Sequence, residues 1–279
     1  MHEDPPRPRG SEPRPRWTHT STPPPQYPPP VIPLEEEPRG LWDTVGHIRP
    51  WGAGFLLITW IILFGVMMFR GEVGDSPALS RWGANLVRPG EIVGGWRLLA
   101  STFLHAGLAH VFFNGVAMAI FGPAVERIFG HARFWILFAA GGLISAWASA
   151  GWRASQIEIG QSISVGASGA IFALGGAMLA ASWKLRRRLP PGRARALAGS
   201  LLPLVLQGLV SGMTRSGTDN IAHISGLVSG LVLGAIIGMD PRLSRSEPPG
   251  WLPVVGAIAA GALLFSLLQS VLHGLALIQ

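Results

Sequence analysis

Long apolar stretches alternate with short polar segments over most of the chain. Seven stretches are apolar enough to cross a bilayer as helices, which takes about 20 residues each. They cover residues 51–69, 104–124, 132–150, 167–183, 196–213, 220–238 and 251–275. The segments between them are polar or rich in proline and glycine, as in KLRRRLPPGRAR and DPRLSRSEPPG. The pattern predicts an all-α polytopic membrane protein.

Composition supports this prediction and excludes other classes. The chain is 48% hydrophobic and only 13% charged, whereas soluble domains carry about 25% charged residues. Residues 1–45 differ, because they are rich in proline and arginine and lack apolar periodicity, which predicts a disordered tail. Cysteine is absent, so disulfide scaffolds, thiolate catalysis and Cys-ligated metals are excluded.

The distribution of basic residues predicts the orientation. If the tail is cytoplasmic, 16 of the 22 Lys and Arg residues lie on the cytoplasmic side and 6 on the other. Cytoplasmic loops of membrane proteins carry an excess of basic residues. We therefore expect the N-terminus inside and the C-terminus outside, in the inner or plasma membrane if the cell is bacterial. The net charge of +7 then reflects topology, and we expect no nucleic-acid partner.

Polar side chains inside spans are costly, so each one is a functional hypothesis. In the second span, His110 and Asn114 are four residues apart and share one helical face, with His105 about a turn and a half earlier. Two interpretations remain open on this segment alone. The pair is either a hydrogen bond that holds helices together or a cluster of donors that lines a wet cavity.

Ser168 lies between Gly166 and Gly169 where a loop enters the fourth span. A helix N-terminus offers free N–H groups and a positive dipole end, which suit a nucleophile whose intermediate carries an oxyanion. The sixth span supplies a possible base, His223, beside a stripe of small residues at Ala222, Gly226, Gly230 and Gly234. Under the predicted topology, Ser168, His223 and His110 reach a similar depth from three helices.

These residues resemble the rhomboid family of intramembrane serine proteases. Further matching positions are Trp96-Arg97, Gly122, Glu126-Arg127 and Gly130. The resemblance extends from Trp96 to about Gly234, half of the chain, in the family's order. The ordered set is specific, although no single motif is.

The resemblance implies a six-helix rhomboid-like catalytic domain over residues 46–240. The tail, 1–45, precedes it, and a linker with a seventh transmembrane helix follows over 241–279. The implied activity is serine endopeptidase cleavage of transmembrane segments of other membrane proteins, near the outer face of the bilayer. No cofactor and no metal are expected.

The resemblance also implies roles for individual residues. Ser168 would be the nucleophile and His223 the general base of a Ser–His dyad. Asn114, His110 and the backbone N–H of Ser168 would form the oxyanion hole. Supporting residues would be Phe172, Gly166, Gly169, His105 and Gly226. At Phe172 the family often has tyrosine, so the ring is kept and the hydroxyl is lost. Glu126-Arg127 is expected to clamp backbone at the cytoplasmic end.

The sequence fits other functions less well. A catalytically silent rhomboid-like protein that binds client transmembrane helices is the main alternative, although such proteins usually lack the serine or the histidine. A transporter or channel predicts internal repeats, and none is found in the sequence. A metalloprotease HExxH motif is absent. The aspartates Asp75, Asp219 and Asp240 lie in loops or at span ends, which argues against an aspartyl protease.

Overall fold

The structure is a computed structural model that describes residues 48–156, 158, 160–187, 192, 199, 202–203, 205–211, 217–240 and 247–277. The predicted tail and part of the predicted fifth span lie outside these residues. In chain order the elements are α1 (Trp51–Phe69), α2 (Ser76–Arg81), β1 (Asn85–Arg88), β2 (Glu91–Val93), α3 (Arg97–Ala100), a 3-10 turn (Ser101–Phe103), α4 (Leu108–Phe129), α5 (His131–Ser155), β3 (Ser162–Ser164), α6 (Ser168–Leu185), α7 (Asn220–Ile236) and α8 (Leu252–Gly274).

The helices follow the apolar stretches of the sequence. Five of them, α1, α4, α5, α6 and α8, are long and apolar enough to cross a membrane, and α7 is a shorter apolar helix of 17 residues. Residues 205–211, inside the predicted fifth span, are also helical. The predicted mostly helical, membrane-spanning architecture is thus confirmed, whereas the count of six helices plus one stays a prediction.

A small sheet interrupts the helical architecture between α1 and α6. Its strand order is β2-β1-β3, and both pairings are antiparallel, with Val87 opposite Ile92 on one side and Ser162 on the other. The apolar pattern of the sequence does not predict these strands. The sheet ties the segment after α1 to the loop that leads into α6.

One buried carboxylate holds the beginning of α1. Glu126, fully buried near the end of α4, accepts hydrogen bonds from the backbone N–H groups of Gly52 (2.8 Å) and Ala53 (3.0 Å). These N–H groups lie in the first turn of α1 and have no partner within the helix. Glu126 therefore clamps the backbone of α1, as expected from the resemblance.

The last helix, α8, packs against α5 and against the segment between α1 and α4. A Cβ atom built on Gly256 would lie 2.7 Å from the Cβ of Ala132 in α5. The buried hydroxyl of Ser270 donates to the carbonyl oxygen of Trp82 (2.5 Å), and the ring of His273 stacks on Trp96 at 5.1 Å. This helix is therefore an integrated part of the fold.

Candidate active site

The loop before α6 places Ser168 at the N-terminus of that helix. Gly166 has φ +121°, a conformation that favours glycine, and its N–H donates to the carbonyl oxygen of Ser101 (2.9 Å). Ser168 is the first residue of α6. N–H groups in the first turn of a helix have no intrahelical acceptor. The backbone at Ser168 is therefore free to donate to a negatively charged oxygen.

His223 lies within hydrogen-bonding distance of this serine. It stands in the first turns of α7, is only 6% exposed, and its Nε2 atom is 2.8 Å from Oγ of Ser168. Its Nδ1 atom is buried and has no hydrogen-bond partner among the described residues. In the described part of the chain, Ser168 and His223 thus form a pair, and no carboxylate is hydrogen-bonded to the imidazole.

Phe172, one helical turn after Ser168, covers one face of the imidazole. Its ring stacks on His223 with centroids 4.3 Å apart and planes 15° apart. A Cβ atom built on Gly208, in the helical residues 205–211, would lie 2.7 Å from Cζ of Phe172. The Phe172 ring therefore lies between the imidazole of His223 and the helical residues 205–211.

Two further predicted site residues lie on α4. Nδ2 of Asn114 donates to the carbonyl oxygen of His110 (2.9 Å). A Cβ atom built on Gly166 would lie 2.5 Å from Nε2 of His110, so the His110 ring packs directly on the loop that precedes Ser168. The side chain of Asn114 is buried. The structure thus places His110 beside the serine loop and Asn114 one turn further along α4.

His105 lies behind His110, in the segment that precedes α4. It is buried, and its ring meets those of His110 and Trp60 edge to face at 5.2 Å and 5.3 Å. Neither ring nitrogen of His105 has a hydrogen-bond partner among the described residues. His105 therefore supports the packing of His110 from the side.

Glycines allow α6 and α7 to approach closely enough for the serine and the histidine to meet. A Cβ atom built on Gly226 would collide with the carbonyl oxygen of Gly169, the residue after Ser168. One turn later, Gly230 faces the carbonyl oxygen of Ala173 in the same way. Small residues are the usual means of close helix packing in membranes.

We expect Gly226→Ala to destabilise the protein by about 1–3 kcal/mol, because the added methyl group must push two backbones apart. Gly261→Ala in α8 is the matched control, since a Cβ atom there has no neighbour within 4 Å. Thermal unfolding in detergent measures the difference. Equal unfolding temperatures for the two variants would contradict the close contact.

Several polar residues around the pair were not identified from the sequence. Asp219, whose position in the sequence indicated only a loop or span-end aspartate, accepts hydrogen bonds from Ser149 and Ser164. Arg153 donates to Ser149 (3.3 Å). Ser149 and Arg153 are one helical turn apart in the sequence, and this spacing is the signal that could have indicated their shared contact. In the described part of the chain, no three His, Asp or Glu side chains converge in a way that could hold a metal ion.

Comparison with known proteins finds similarity to one protein family. The Rhomboid domain model matches residues 94–240. The chain is 32% identical to Rhomboid-like protease 1 of Toxoplasma gondii over 75% of this chain and 69% of that protein. It is 31% identical to Rhomboid protease GluP of Bacillus subtilis over 64% of this chain. It is also 28% identical to Rhomboid protease AarA of Providencia stuartii, over 67% of this chain and 73% of that protein.

The match is partial for some relatives. The chain spans 33% of the length of GluP and 47% of that of the mitochondrial RHOMBOID-like protein 6 of Arabidopsis thaliana. The matched region nevertheless includes Ser168, His223, His110 and Asn114, and the apolar helices are those of an integral multi-pass membrane protein. The family model covers more than half of the chain. The chain therefore belongs to the rhomboid family.

Proposed function

We propose that this protein is an intramembrane serine endopeptidase that cleaves transmembrane segments of other membrane proteins. The observation that carries the proposal is the 2.8 Å contact between Oγ of Ser168 and Nε2 of His223. A serine hydroxyl is a weak nucleophile until a neighbouring base accepts its proton. Relatives that are named rhomboid proteases support protease chemistry in general.

The proposed reaction has two steps. Nε2 of His223 accepts the proton of Ser168 as Oγ attacks the substrate carbonyl carbon, and the protonated imidazole then gives that proton to the leaving amine. Water next attacks the acyl-enzyme with His223 again as base, which releases the acid product and restores the serine. Microscopic reversibility makes the same imidazole serve as base and acid in both halves.

The oxyanion of each tetrahedral intermediate needs donors that are already in place. The backbone N–H of Ser168 lies at the beginning of α6, where no intrahelical acceptor competes for it. Asn114 and His110 on α4 are the proposed side-chain donors, and the contact of His110 with Gly166 supports this role. No metal or cofactor is part of the proposal.

The proposed membrane arrangement is a six-helix catalytic domain, residues 46–240, with a seventh helix in 241–279. The N-terminal tail would be cytoplasmic and the C-terminus outside. The five long apolar helices, the shorter α7 and the helical residues 205–211 support the proposed set of helices. The distribution of Lys and Arg residues supports the proposed orientation. Because a nucleophile reaches a carbonyl only where a helix unwinds, we expect substrates with Gly or Pro near the outer face of the membrane.

The test uses the purified full-length chain in liposomes with a single-span substrate that carries Gly-Pro near its outer end. We expect cleavage within the span and covalent labelling of Ser168 by a tagged fluorophosphonate. A matched substrate with leucines in place of Gly-Pro is expected to be cut more slowly. Absence of both cleavage and labelling would refute the proposal and favour the binding of client helices without cleavage.

A further inference from the structure

Asp219 begins the helix that carries His223. Its Oδ1 atom accepts from the backbone N–H of Ala222 (3.0 Å), which is an N-cap interaction, and its carbonyl oxygen accepts from the N–H of His223 (3.1 Å). One residue thus defines both the first turn of α7 and the backbone position of His223. A shift of Asp219 would shift the imidazole with it.

The second carboxylate oxygen of Asp219 contacts two other elements. Oδ2 accepts from the hydroxyl of Ser164 (2.9 Å) and from the hydroxyl of Ser149, which is buried in α5. Ser164 ends β3 and precedes Ser168 by four residues. The carboxylate therefore joins the beginning of the histidine helix to the strand that leads into the serine loop.

Arg153 completes this network one turn after Ser149. Its guanidinium donates to Oγ of Ser149 (3.3 Å), to Oγ of Ser162 (3.1 Å) and to the carbonyl oxygen of Asn85 (3.3 Å). It thereby holds β1 and β3 beside α5. Asp219 and Arg153 share Ser149 as a common partner, so the two opposite charges are linked through one hydroxyl.

We propose that Asp219 is a positioning residue that sets the distance between Ser168 and His223, a role that rests on the proposed function. The hydrogen bond between Ser164 and Asp219 lies four residues before each member of the pair. Ser168 follows Ser164 by four residues, and His223 follows Asp219 by four residues. Asp219 is one carboxylate that spans the two chain segments. It acts through backbone placement and makes no hydrogen bond to either catalytic side chain.

The deciding variant is Asp219→Asn, because asparagine still caps a helix but has only one acceptor oxygen for the three donors. We expect kcat to fall about 10- to 100-fold, the range that a small misplacement of reacting groups produces. KM should stay unchanged, because Asp219 does not touch substrate. The rate of fluorophosphonate labelling of Ser168 should fall in parallel with kcat, since it needs the same pair and no substrate.

The matched control is Asp75→Asn. Asp75 caps α2 by the same kind of contact, because its carboxylate accepts from the N–H of Ala78 at 2.9 Å, but this contact lies within α2 and does not involve α6 or α7. The kcat and the labelling rate of the Asp75→Asn variant should equal those of the wild type. Ser164→Ala, which removes one hydroxyl and leaves the cap intact, should lower kcat less than Asp219→Asn does, again at unchanged KM.

A combined Asp219→Asn and Ser164→Ala variant separates positioning from general stability. Because both changes break the same link, their effects on kcat should not add. The proposal would be overturned if Asp219→Asn kept the wild-type kcat, or if the two losses of kcat were additive in the double variant. A loss of kcat accompanied by an equal rise in KM would also overturn it. If Asp219→Asn does not fold, an unchanged kcat in Ser164→Ala overturns it instead. An inactive wild type would refute the proposed function and the role of Asp219 with it.

Discussion

Replacing Ser168 or His223 by alanine is expected to lower the rate of substrate cleavage by at least about 10³-fold, as the loss of a nucleophile or its base does in serine proteases. The two side chains are 2.8 Å apart, so each depends on the other. The double variant should therefore be no slower than either single variant. Cleavage of the single-span substrate in liposomes, followed over hours, measures all three.

The control for this prediction is Ser182→Ala, which removes a serine hydroxyl from the same helix. Ser182 is buried and donates to the carbonyl oxygen of Met178 (2.8 Å), in the same α6 that begins at Ser168. The Ser182→Ala variant should cleave the substrate at the wild-type rate. Residual cleavage in Ser168→Ala within a factor of about 10 of the wild type would show that another group is the nucleophile.

The helices were largely predictable because the bilayer imposes both length and composition on a span. The first stretch, 51–69, coincides with α1, and the last, 251–275, differs from α8 by one residue at each end. The second predicted span begins at 104, whereas α4 begins at Leu108, because residues 104–107 are not helical and have extended backbone at Leu104 and Gly107. Hydropathy does not distinguish such a segment from a helix.

The small sheet could not be predicted in the same way. Its strands contain three or four residues, too few for an alternating pattern to be recognised. The pairing of β1 with β3 also joins residues that are at least 75 positions apart in the sequence, such as Val87 and Ser162. No local signal in the sequence reports a contact at that distance.

The candidate site was predictable where spacing carries the information. His110 and Asn114 share a helical face, as their four-residue spacing predicts, and Nδ2 of Asn114 donates to the carbonyl oxygen of His110. Phe172 lies one turn after Ser168, and its ring stacks on His223. Asp219 was not predicted, because its partners come from another helix and a strand. A polar residue at a span end is usually solvated. Asp219 instead has hydrogen-bond partners in the protein because α5 and β3 pack beside it.

The proposed oxyanion hole leads to the second large expected effect. Asn114→Ala should lower kcat by about 10²–10³-fold, the loss that follows removal of one oxyanion donor. KM should change little, because a donor aimed at the developing charge contributes mainly in the transition state. Kinetics with the single-span substrate in liposomes measure both constants. Asn114→Leu, which keeps a branched side chain but has no donors, should behave like alanine.

The same experiment separates catalysis from packing. Asn114 also donates to the carbonyl oxygen of His110, so its loss removes one structural hydrogen bond, which is worth about 1 kcal/mol of stability. Thr102→Val is a suitable comparison, since the buried hydroxyl of Thr102 likewise donates to a local carbonyl oxygen, that of Leu99 (2.7 Å). If Asn114→Ala and Thr102→Val lose the same stability while only Asn114→Ala loses kcat, Asn114 stabilises the oxyanion. Equal losses of kcat in both variants would reduce Asn114 to a packing role.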